Sequence, residues 1–566
     1  MTCSLKLNEV VADVLILGGG TAGCYAAITL ARKNPNLRIV ILEKANIKRS
    51  GCLAAGVNAI NAYITDGYSV DEYVEYVRWD AAKIIRDDLV RSMALRFNRI
   101  AGDLEQMGLV FLKDANGNYV SRGRRNVKIN GENIKPILAK ETQKYENIKV
   151  YNHVNATDLI LKDGRVVGAV GFAVEFPERY LIHARAVLIA CGGASGLYRP
   201  NNPGFSRHKM WYSPFNVGSG YAMGIRAGAE MTSLEMRFVA QRCKDVIAPT
   251  GTIALGVGAK EINCLGECYS ERYGLSTSGR AHGATNEALE GRGPCYLKTV
   301  GVTKEQEDDL LKAYLNMAPA QTLRWLESGR RPRLCNVEFE GSEPYVVGGH
   351  TGSGFWVDVD RRATVPRLYA AGDVVGGAPK KFVTGALAEG EIAAEAILAD
   401  ISDDPDELDL SPNPDAEKKF EEYQMALEPK AFFLYDLTQL EEAMQKVMDV
   451  YAGGISPAYR YNARQLDMAS DQIRQLEEII NLAHVDDMNE LLRFYELKDR
   501  LLLCRALIAH MNERHETRWP GFGVNTDFPK VDKKWEVFVN SVFTDNEFKM
   551  ILRQLNPGED TYEYSH

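Results

Sequence analysis

Val14-Leu15-Ile16-Leu17-Gly18-Gly19-Gly20-Thr21-Ala22-Gly23 decides how the first part of this 566-residue chain folds. Val14 to Leu17 form a short apolar run that suits a buried parallel strand. Glycines follow at once as Gly18-x-Gly20-x-x-Gly23, and Ala26-Ala27-Ile28-Thr29-Leu30-Ala31 suits a helix. Gly18 permits a tight turn, Gly20 lets backbone approach a pyrophosphate, and Gly23 lets the helix pack close to the strand. The helix N-terminus then stabilises the phosphate charge. A second strand, Leu37 to Leu42, ends in Glu43, whose carboxylate is spaced to accept hydrogen bonds from an adenosine ribose. Strand, glycines, helix, strand and acid in that order predict a dinucleotide-binding unit.

Further signals lie outward from this unit. Arg49 to Tyr63 is rich in small residues and can pass close beside a flat ring system. Asp71 to Met107 reads as helical. The apolar run Ala186 to Ala190 ends in Cys191-Gly192-Gly193, where backbone can again approach a ligand. Arg367-Leu368-Tyr369-Ala370-Ala371-Gly372-Asp373 places a carboxylate at a strand's C-terminal edge, where ligands of open sheets sit. Thr384 to Gly390 then opens a helix whose N-terminus carries partial positive charge. Nucleotide elements near residues 18 and 373 imply a discontinuous domain, with an inserted segment covering the ligand. An acidic, proline-containing linker follows Asp400, and Ala416 to about Asn512 reads as packed helices. The predicted fold class is α/β: a Rossmann-like domain over 1–238 and 346–415, an inserted α+β capping domain over 239–345, and a helical C-terminal domain and tail over 416–566.

Bulk properties narrow the function. The net charge of −9 argues against general nucleic-acid binding, which needs a positive surface. No apolar run approaches the roughly 18 residues of a membrane span, and Met1 to Lys6 lacks the basic start of a signal peptide. A cytoplasmic location is expected. The ten cysteines are scattered; Cys264 and Cys268 have no second pair at metal spacing, so neither a zinc nor an iron–sulfur pattern is present. Any iron–sulfur cluster that exchanges electrons with this chain is expected on another polypeptide.

The glycine fingerprint, Arg49-Ser50-Gly51, Ala190-Cys191-Gly192-Gly193, His350 and Ala371-Gly372-Asp373, taken in order, resemble the fumarate reductase/succinate dehydrogenase flavoprotein superfamily. Within it the chain is most similar to the adenylylsulfate reductase alpha-subunit family. The specific pieces include Ala59 to Tyr63, Gly131 to Ile137, Trp211-Tyr212, Arg242 to Asp245, Gly349 to Trp356, and Glu516 to Gly521. The resemblance implies FAD: Gly18, Gly20, Gly23 and Glu43 hold the ADP half, and Val154 supplies backbone near the adenine. Ser50, Gly56 and the Gly192 turn line the ring side, while Asp373, Ala386 and Leu387 reach the ribitol and flavin. Covalent members carry a histidine where this chain has Gly51-Cys52, so non-covalent FAD is expected.

The same resemblance implies two-electron interconversion of adenylylsulfate with AMP and sulfite. Arg242 is assigned to the sulfonate, because a guanidinium is always charged and binds oxyanions in a fork. His350 donates as a neutral imidazole or adds charge as a protonated one. Asn61 donates a neutral hydrogen bond; Glu132 orients Arg242 or stays protonated through burial. Trp211, Leu255 and Arg280 match positions around the nucleotide, and Ala254 stands where the family has an aromatic ring for adenine. The implied partner is an iron–sulfur beta subunit with two four-iron clusters. Two rival readings remain. One is a fumarate reductase-like or aspartate oxidase-like enzyme acting on another small anion. The other is a non-catalytic electron-relay flavoprotein.

Overall fold

The apolar run Val14–Leu17 ends a longer strand, Lys6–Leu17. In the computed structural model, residues 5–207, 210, 212–246, 253–403, 408–428 and 435–556 are described. Lys6–Leu17 lies parallel to Ile39–Glu43 on one side and to Glu178–Ile189 on the other. Ile148–Asn152 extends the sheet beyond Ile39–Glu43, and Leu368–Ala370 pairs with Val187 to Ile189 at the far side. These five strands all run one way, so their carboxyl ends form a single edge. Val14 to Leu17 are fully buried in this sheet, each side chain contributing roughly 1.5–3 kcal/mol of burial free energy. The first half of Glu178–Ile189 pairs instead with Arg165–Ala173, which continues antiparallel to Val154–Lys162. One strand therefore joins the parallel sheet to an antiparallel extension.

Two helices cover this sheet and pack on each other: Thr21–Lys33 after the glycine loop, and Phe382–Asp403 after the Gly372–Asp373 turn. Their approach is close, since a Cβ on Gly390 would stand 2.4 Å from the Ala22 carbonyl oxygen. A small antiparallel sheet of Val57–Ile60, Val127–Gly131 and Val110–Phe111 lies beside the parallel one in sequence. The segment read as helical over Asp71 to Met107 is three helices: Val70–Asp80, Asp87–Ala94 and Phe97–Gln106. Its first break is tertiary in origin. Ala82 and Lys83 are left-handed (φ 51° and 78°), and the carbonyls of Ala81 and Ala82 accept hydrogen bonds from Trp519 Nε1 (3.0 Å) and Arg518 Nη1 (3.3 Å).

A second antiparallel sheet orders Gln241–Cys243, Val337–Gly341, Cys295–Leu297 and Glu261–Ile262. With helices Thr277–Leu289, Lys304–Met317 and Pro319–Ser328 it forms a cap. The cap owns a separate apolar core that includes Cys243, Ala254, Tyr269, Tyr314 and Trp325. Helices Pro414–Ala426, Leu437–Tyr451, Ala463–Ile479 and Met488–Glu513 follow. Among the described residues no helix is long and apolar enough to cross a membrane.

The tail holds a feature that the sequence reading lacks. Val537–Thr544 and Glu547–Gln554 form a hairpin, turned by Asp545 and Asn546 at φ 54° and 61°, the left-handed pair that a tight hairpin requires. Met231–Thr232 adds to this hairpin and in turn to Gly354–Phe355. Arg553 locks it in place with Nε and Nη2 donating to the two carboxylate oxygens of Glu230 at 2.6 and 2.9 Å. Glu230 is 0% exposed and Arg553 8%. Removing one partner of such a buried pair strands the other charge. Arg553→Ala is therefore expected to lower unfolding free energy by roughly 3–5 kcal/mol in a denaturant titration. The exposed pair Arg474–Glu547 is expected to cost about 1 kcal/mol or less when Arg474 is replaced by Ala.

Candidate active site

The carboxyl edge of the parallel sheet is a set of backbone contacts with no room for side chains. Gly18 has φ 101°, and a Cβ on it would lie 2.5 Å from the Ala190 carbonyl oxygen. A Cβ on Gly23 would stand 2.0 Å from the Gly18 carbonyl oxygen. Gly20, by contrast, caps Thr21–Lys33 and faces open space, with only the Ala190 oxygen at 3.9 Å. Glu43 accepts from the Gly19 and Ala45 amides at 2.9 and 2.8 Å. Each carboxylate oxygen keeps further acceptor capacity for a ligand hydroxyl. The His153 amide donates to the Ala45 carbonyl at 3.0 Å, which brings the backbone before Val154 alongside the Glu43 loop.

The ring side of this edge holds further vacant capacity. Ser50 is buried, and its hydroxyl has no hydrogen-bond partner among the described residues. Gly56 (φ 74°) lies against Glu132, whose Cα would be 3.0 Å from an added Cβ. Gly192 (φ 77°) would bring a Cβ to 2.4 Å from Asn216 Nδ2. Tyr212 OH donates to Asp373 Oδ2 at 2.7 Å and accepts from the Gly193 amide at 3.0 Å. Burial raises the Asp373 carboxyl above the usual carboxylate range. Burial also pushes the Cys191 thiol up to about 12, so it stays protonated, donating to the Leu17 carbonyl at 3.3 Å. Ala386 and Leu387 are buried near the start of Phe382–Asp403. Beneath them, Lys381 Nζ donates to the carbonyls of Gly372 (2.9 Å) and Val375 (2.7 Å) and pairs with Glu389 at 3.1 Å. Glu389 in turn accepts from the Gly372 amide at 2.9 Å. The Gly372–Asp373 turn is thereby fastened to the helix that follows it.

His350 sits where this turn meets the cap. Gly349 packs directly on Asp373, a Cβ there falling 1.9 Å from Oδ1. The imidazole stacks on Phe238 (4.6 Å, 18°) and meets Phe382 edge-on (5.8 Å, 71°). Enclosure by protein, helped by the nearby Lys380 charge and opposed by Asp80, lowers its pKa from 6.5 to about 3. That environment favours the neutral imidazole of His350. Lys380 is itself held by Asp80 at 2.8 Å and by the Thr277 hydroxyl at 2.9 Å, joining the cap helix Thr277–Leu289 to the histidine's surroundings. Asn61 is half-buried, next to Ala62, whose carbonyl accepts from the Thr384 hydroxyl.

Arg242 is 0% exposed on the edge strand of the cap sheet. Its Nη1 donates to the Val246 carbonyl at 3.3 Å, and Glu340 lies 3.9 Å from Nη2. Its Nε and Nη2 have no hydrogen-bond partner among the described residues. Glu132 is exposed in the turn after Val127–Gly131. The acid that faces Arg242 is Glu340, not Glu132, because Glu340 lies directly across the strand pair. Leu255 is half-buried on a short helical turn, Ile253–Val257, beside the cap core. Ala254 is fully buried within that core. Arg280 is half-buried on the cap helix, and its Nε is buried without a hydrogen-bond partner among the described residues. Trp211 lies outside the described residues.

Sequence reasoning missed Phe238, Asp80 and Lys380 around His350, and Arg122 beside the cap. Arg122 Nη1 would lie 2.8 Å from a Cβ on Gly256, and burial lowers its pKa. These residues come from distant segments, and no spacing rule links them.

A family model described as FAD binding domain matches residues 13–253. The alpha subunit of adenylylsulfate reductase from Megalodesulfovibrio gigas is 29% identical, over 94% of this chain and 93% of that one. A solved adenosine-5-phosphosulfate reductase, in complex with sulfite as a covalent adduct, superposes with TM-score 0.92 at 30% identity, covering 99% and 98% of the two chains. The adenylylsulfate reductase structure from Archaeoglobus fulgidus gives TM-score 0.92 at 31% identity, with the same coverage. The chain belongs to the adenylylsulfate reductase alpha-subunit family.

Membership of the adenylylsulfate reductase family and the matched domain make FAD the cofactor. The open face at Gly20 and the unsatisfied Ser50 hydroxyl fit it. A side chain at position 23 cannot coexist with the loop at Gly18. Gly23→Ala is expected to yield protein with less than about a tenth of the wild-type flavin absorbance, because a methyl group must displace that carbonyl. The neutral His350 carries a pH signature. Between about pH 6.5 and 3 the unfolded chain binds a proton that the folded imidazole refuses, so stability falls as pH falls through that window. Denaturation midpoints at about pH 7 and 4.5 should therefore differ less in His350→Gln than in wild type, by about 2 kcal/mol.

Proposed function

We propose that the protein is the catalytic flavoprotein subunit of an adenylylsulfate reductase, interconverting adenylylsulfate with AMP and sulfite. One observation carries the substrate side of this reading: the fully buried Arg242 guanidinium has two nitrogens without hydrogen-bond partners among the described residues. A buried cation in that state is strongly unfavourable unless an anion completes it. Glu340 neutralises it poorly, since the contact is long (3.9 Å) and burial raises the Glu340 carboxyl above its ordinary range. A sulfonate offers oxygens for the guanidinium fork.

Each residue then has a physical role. Arg242 holds the sulfonate and balances the negative charge shared by sulfite and phosphate. Neutral His350 donates a hydrogen bond to a substrate oxygen without adding charge, its ring fixed by Phe238. Asn61 adds a neutral donor, while Leu255 and Arg280 line the nucleotide side. Arg122, half-buried at Gly256, adds a further cation for the phosphate. The cap excludes water, so fixed donors act in a low-dielectric cavity where they stabilise developing charge most. FAD, when bound, supplies or accepts the two electrons by which adenylylsulfate and sulfite differ. Gly18, Gly20, Gly23, Glu43 and Val154 hold its ADP half, while Ser50, Gly56, Gly192, Asp373, Ala386 and Leu387 hold its ring and ribitol. The attachment is non-covalent, with Gly51-Cys52 in place of a histidine.

The domain division 1–238 with 346–415, 239–345 and 416–566 separates the cofactor sheet, the cap and the C-terminal region in this reading. The electron partner is a beta subunit carrying two four-iron clusters. The described cysteines are all free thiols, which suits a reducing cytoplasm. A dicarboxylate substrate fits less well: Lys381, in the segment where fumarate reductases carry an arginine motif, is fully buried and engaged by Gly372, Val375 and Glu389.

The test is an anaerobic assay of the purified complex with AMP, sulfite and an artificial acceptor. Wild type should turn over only with both substrates. Arg242→Ala should lose at least about 100-fold in rate while retaining its flavin spectrum. Unchanged turnover in Arg242→Ala rejects the sulfonate site, and wild-type activity with fumarate but none with AMP and sulfite rejects the reaction.

A further inference from the structure

The Arg242 guanidinium takes its orientation from a carbonyl on the turn that follows it. Nη1 donates to the Val246 carbonyl at 3.3 Å, while Nε and Nη2 are without hydrogen-bond partners among the described residues. The place of that carbonyl therefore sets the plane of the guanidinium and the direction in which its open nitrogens face. Val246 closes a tight turn, its amide donating to the Cys243 carbonyl at 3.2 Å. Within the turn Asp245 is left-handed, with φ 58°. Such a conformation is unfavourable for a residue with a Cβ and persists where surrounding contacts fix it.

Those contacts come from two elements of the cap. On the neighbouring strand Val337–Gly341, the Glu338 carbonyl accepts from the Lys244 amide at 3.2 Å, and the Glu338 carboxylate accepts from Lys244 Nζ at 3.0 Å. The second element is the helix Pro319–Ser328, which carries Arg324. Arg324 Nη1 donates to the Lys244 carbonyl at 3.0 Å, and Nη2 donates to the Asp245 carbonyl at 3.4 Å. One planar fork thus grips two successive carbonyls, which a single ammonium reproduces poorly. The Arg324 side chain is 48% exposed, with the Asp245 carboxylate 4.0 Å from Nη2. Its charge therefore stays solvated, and the contact acts through geometry.

The base of Arg324 is fixed by its neighbour. Trp325 is buried in the cap core and meets Tyr314 edge-on (4.9 Å, 80°). The Tyr314 hydroxyl accepts from the Cys243 thiol at 3.5 Å. Two adjacent residues of one helix thereby hold the turn after Arg242, one at Cys243 through Tyr314 and the other at Lys244 and Asp245. We propose that Arg324 is a positioning residue of the sulfonate site: by clamping the 244–246 turn it holds the Val246 carbonyl, and through it the Arg242 guanidinium, in the orientation that receives the anion. This rests on the role of Arg242 proposed above and assigns Arg324 no contact with substrate or cofactor.

The test uses the purified complex, assayed with AMP, sulfite and an artificial acceptor. Arg324→Ala is expected to raise KM for sulfite about fivefold, the worth of about one net hydrogen bond, with KM for AMP within about twofold of wild type. In an Arg242→Ala background the same substitution should change kcat/KM for sulfite by less than about twofold, because residues that act through one another are not additive. An unchanged KM for sulfite, parallel rises in both KM values, or an undiminished effect in the Arg242→Ala background overturns the proposal. Arg324→Lys separates positioning from simple attraction of the anion. It keeps the charge and loses the fork, so KM for sulfite should stay raised by about threefold or more at both low and high salt. A wild-type KM in Arg324→Lys, which attraction alone predicts, also overturns it. If wild type shows no turnover with AMP and sulfite, the reaction assignment has failed, and hydrogen exchange of the complex decides the clamp. The Lys244 and Val246 amides should exchange about fivefold faster in Arg324→Ala, with the cap strand Cys295–Leu297 unchanged. That result upholds the clamp on Arg242; equal exchange in variant and wild type, or an equal rise in Cys295–Leu297, rejects it.

Discussion

The molecule depends on backbone segments meeting at the carboxyl edge of its parallel sheet at distances that exclude a methyl group. Gly18 against Ala190, Gly193 against Val346, and Gly348 against the Val375 and Asp373 carbonyls are all such contacts. They draw together segments that start near residues 18, 190, 346 and 373. Each contact leaves main-chain amides and carbonyls, rather than side chains, lining the edge, which is the surface a dinucleotide needs. The same contacts place His350 one residue from the Asp373 turn. Cofactor binding and substrate binding are therefore consequences of one packing constraint.

Charge is arranged differently on the two sides of this edge. On the cofactor side, Lys381 and Arg361 share the Glu389 carboxylate inside the protein, which fastens the turn. On the cap side, Arg242 is left incompletely paired among the described residues. Low dielectric makes both choices consequential. A satisfied network rigidifies, whereas an unsatisfied one waits for a ligand. His350, neutral and stacked, adds a donor without enlarging the positive charge that the anion must balance.

The C-terminal region contributes to the site although it lies far away in sequence. Trp519 and Arg518 hold the carbonyls at Ala81 and Ala82, Gly521 donates to the Ser278 hydroxyl at 3.0 Å, and Phe522 meets Phe238 edge-on at 5.5 Å. One turn thus touches the Asp80 segment, the start of the cap helix and the aromatic ring under His350. The Trp-Pro-Gly stretch acts as a strut between cap and cofactor domain, and the Glu230–Arg553 pair anchors the hairpin behind it.

The strand–glycine–helix unit, Glu43, the Gly372–Asp373 turn and its helix were legible in the amino-acid order, because each follows from local rules: apolar runs, the small size of glycine, and ligands at strand ends. Arg242, His350 and the FAD residues became legible through resemblance, with their roles but without their surroundings. Three things were decided only when the chain closed on itself. The helix over Asp71 to Met107 broke where distant donors took its carbonyls. Glu340 rather than Glu132 came to face Arg242 through strand pairing. Arg324, from a separate helix, came to bind the carbonyls of Lys244 and Asp245. Local sequence encodes conformations within a few residues; burial, pairing and the loss of hydrogen-bond partners are properties of contacts between segments, and they exist only in the folded molecule.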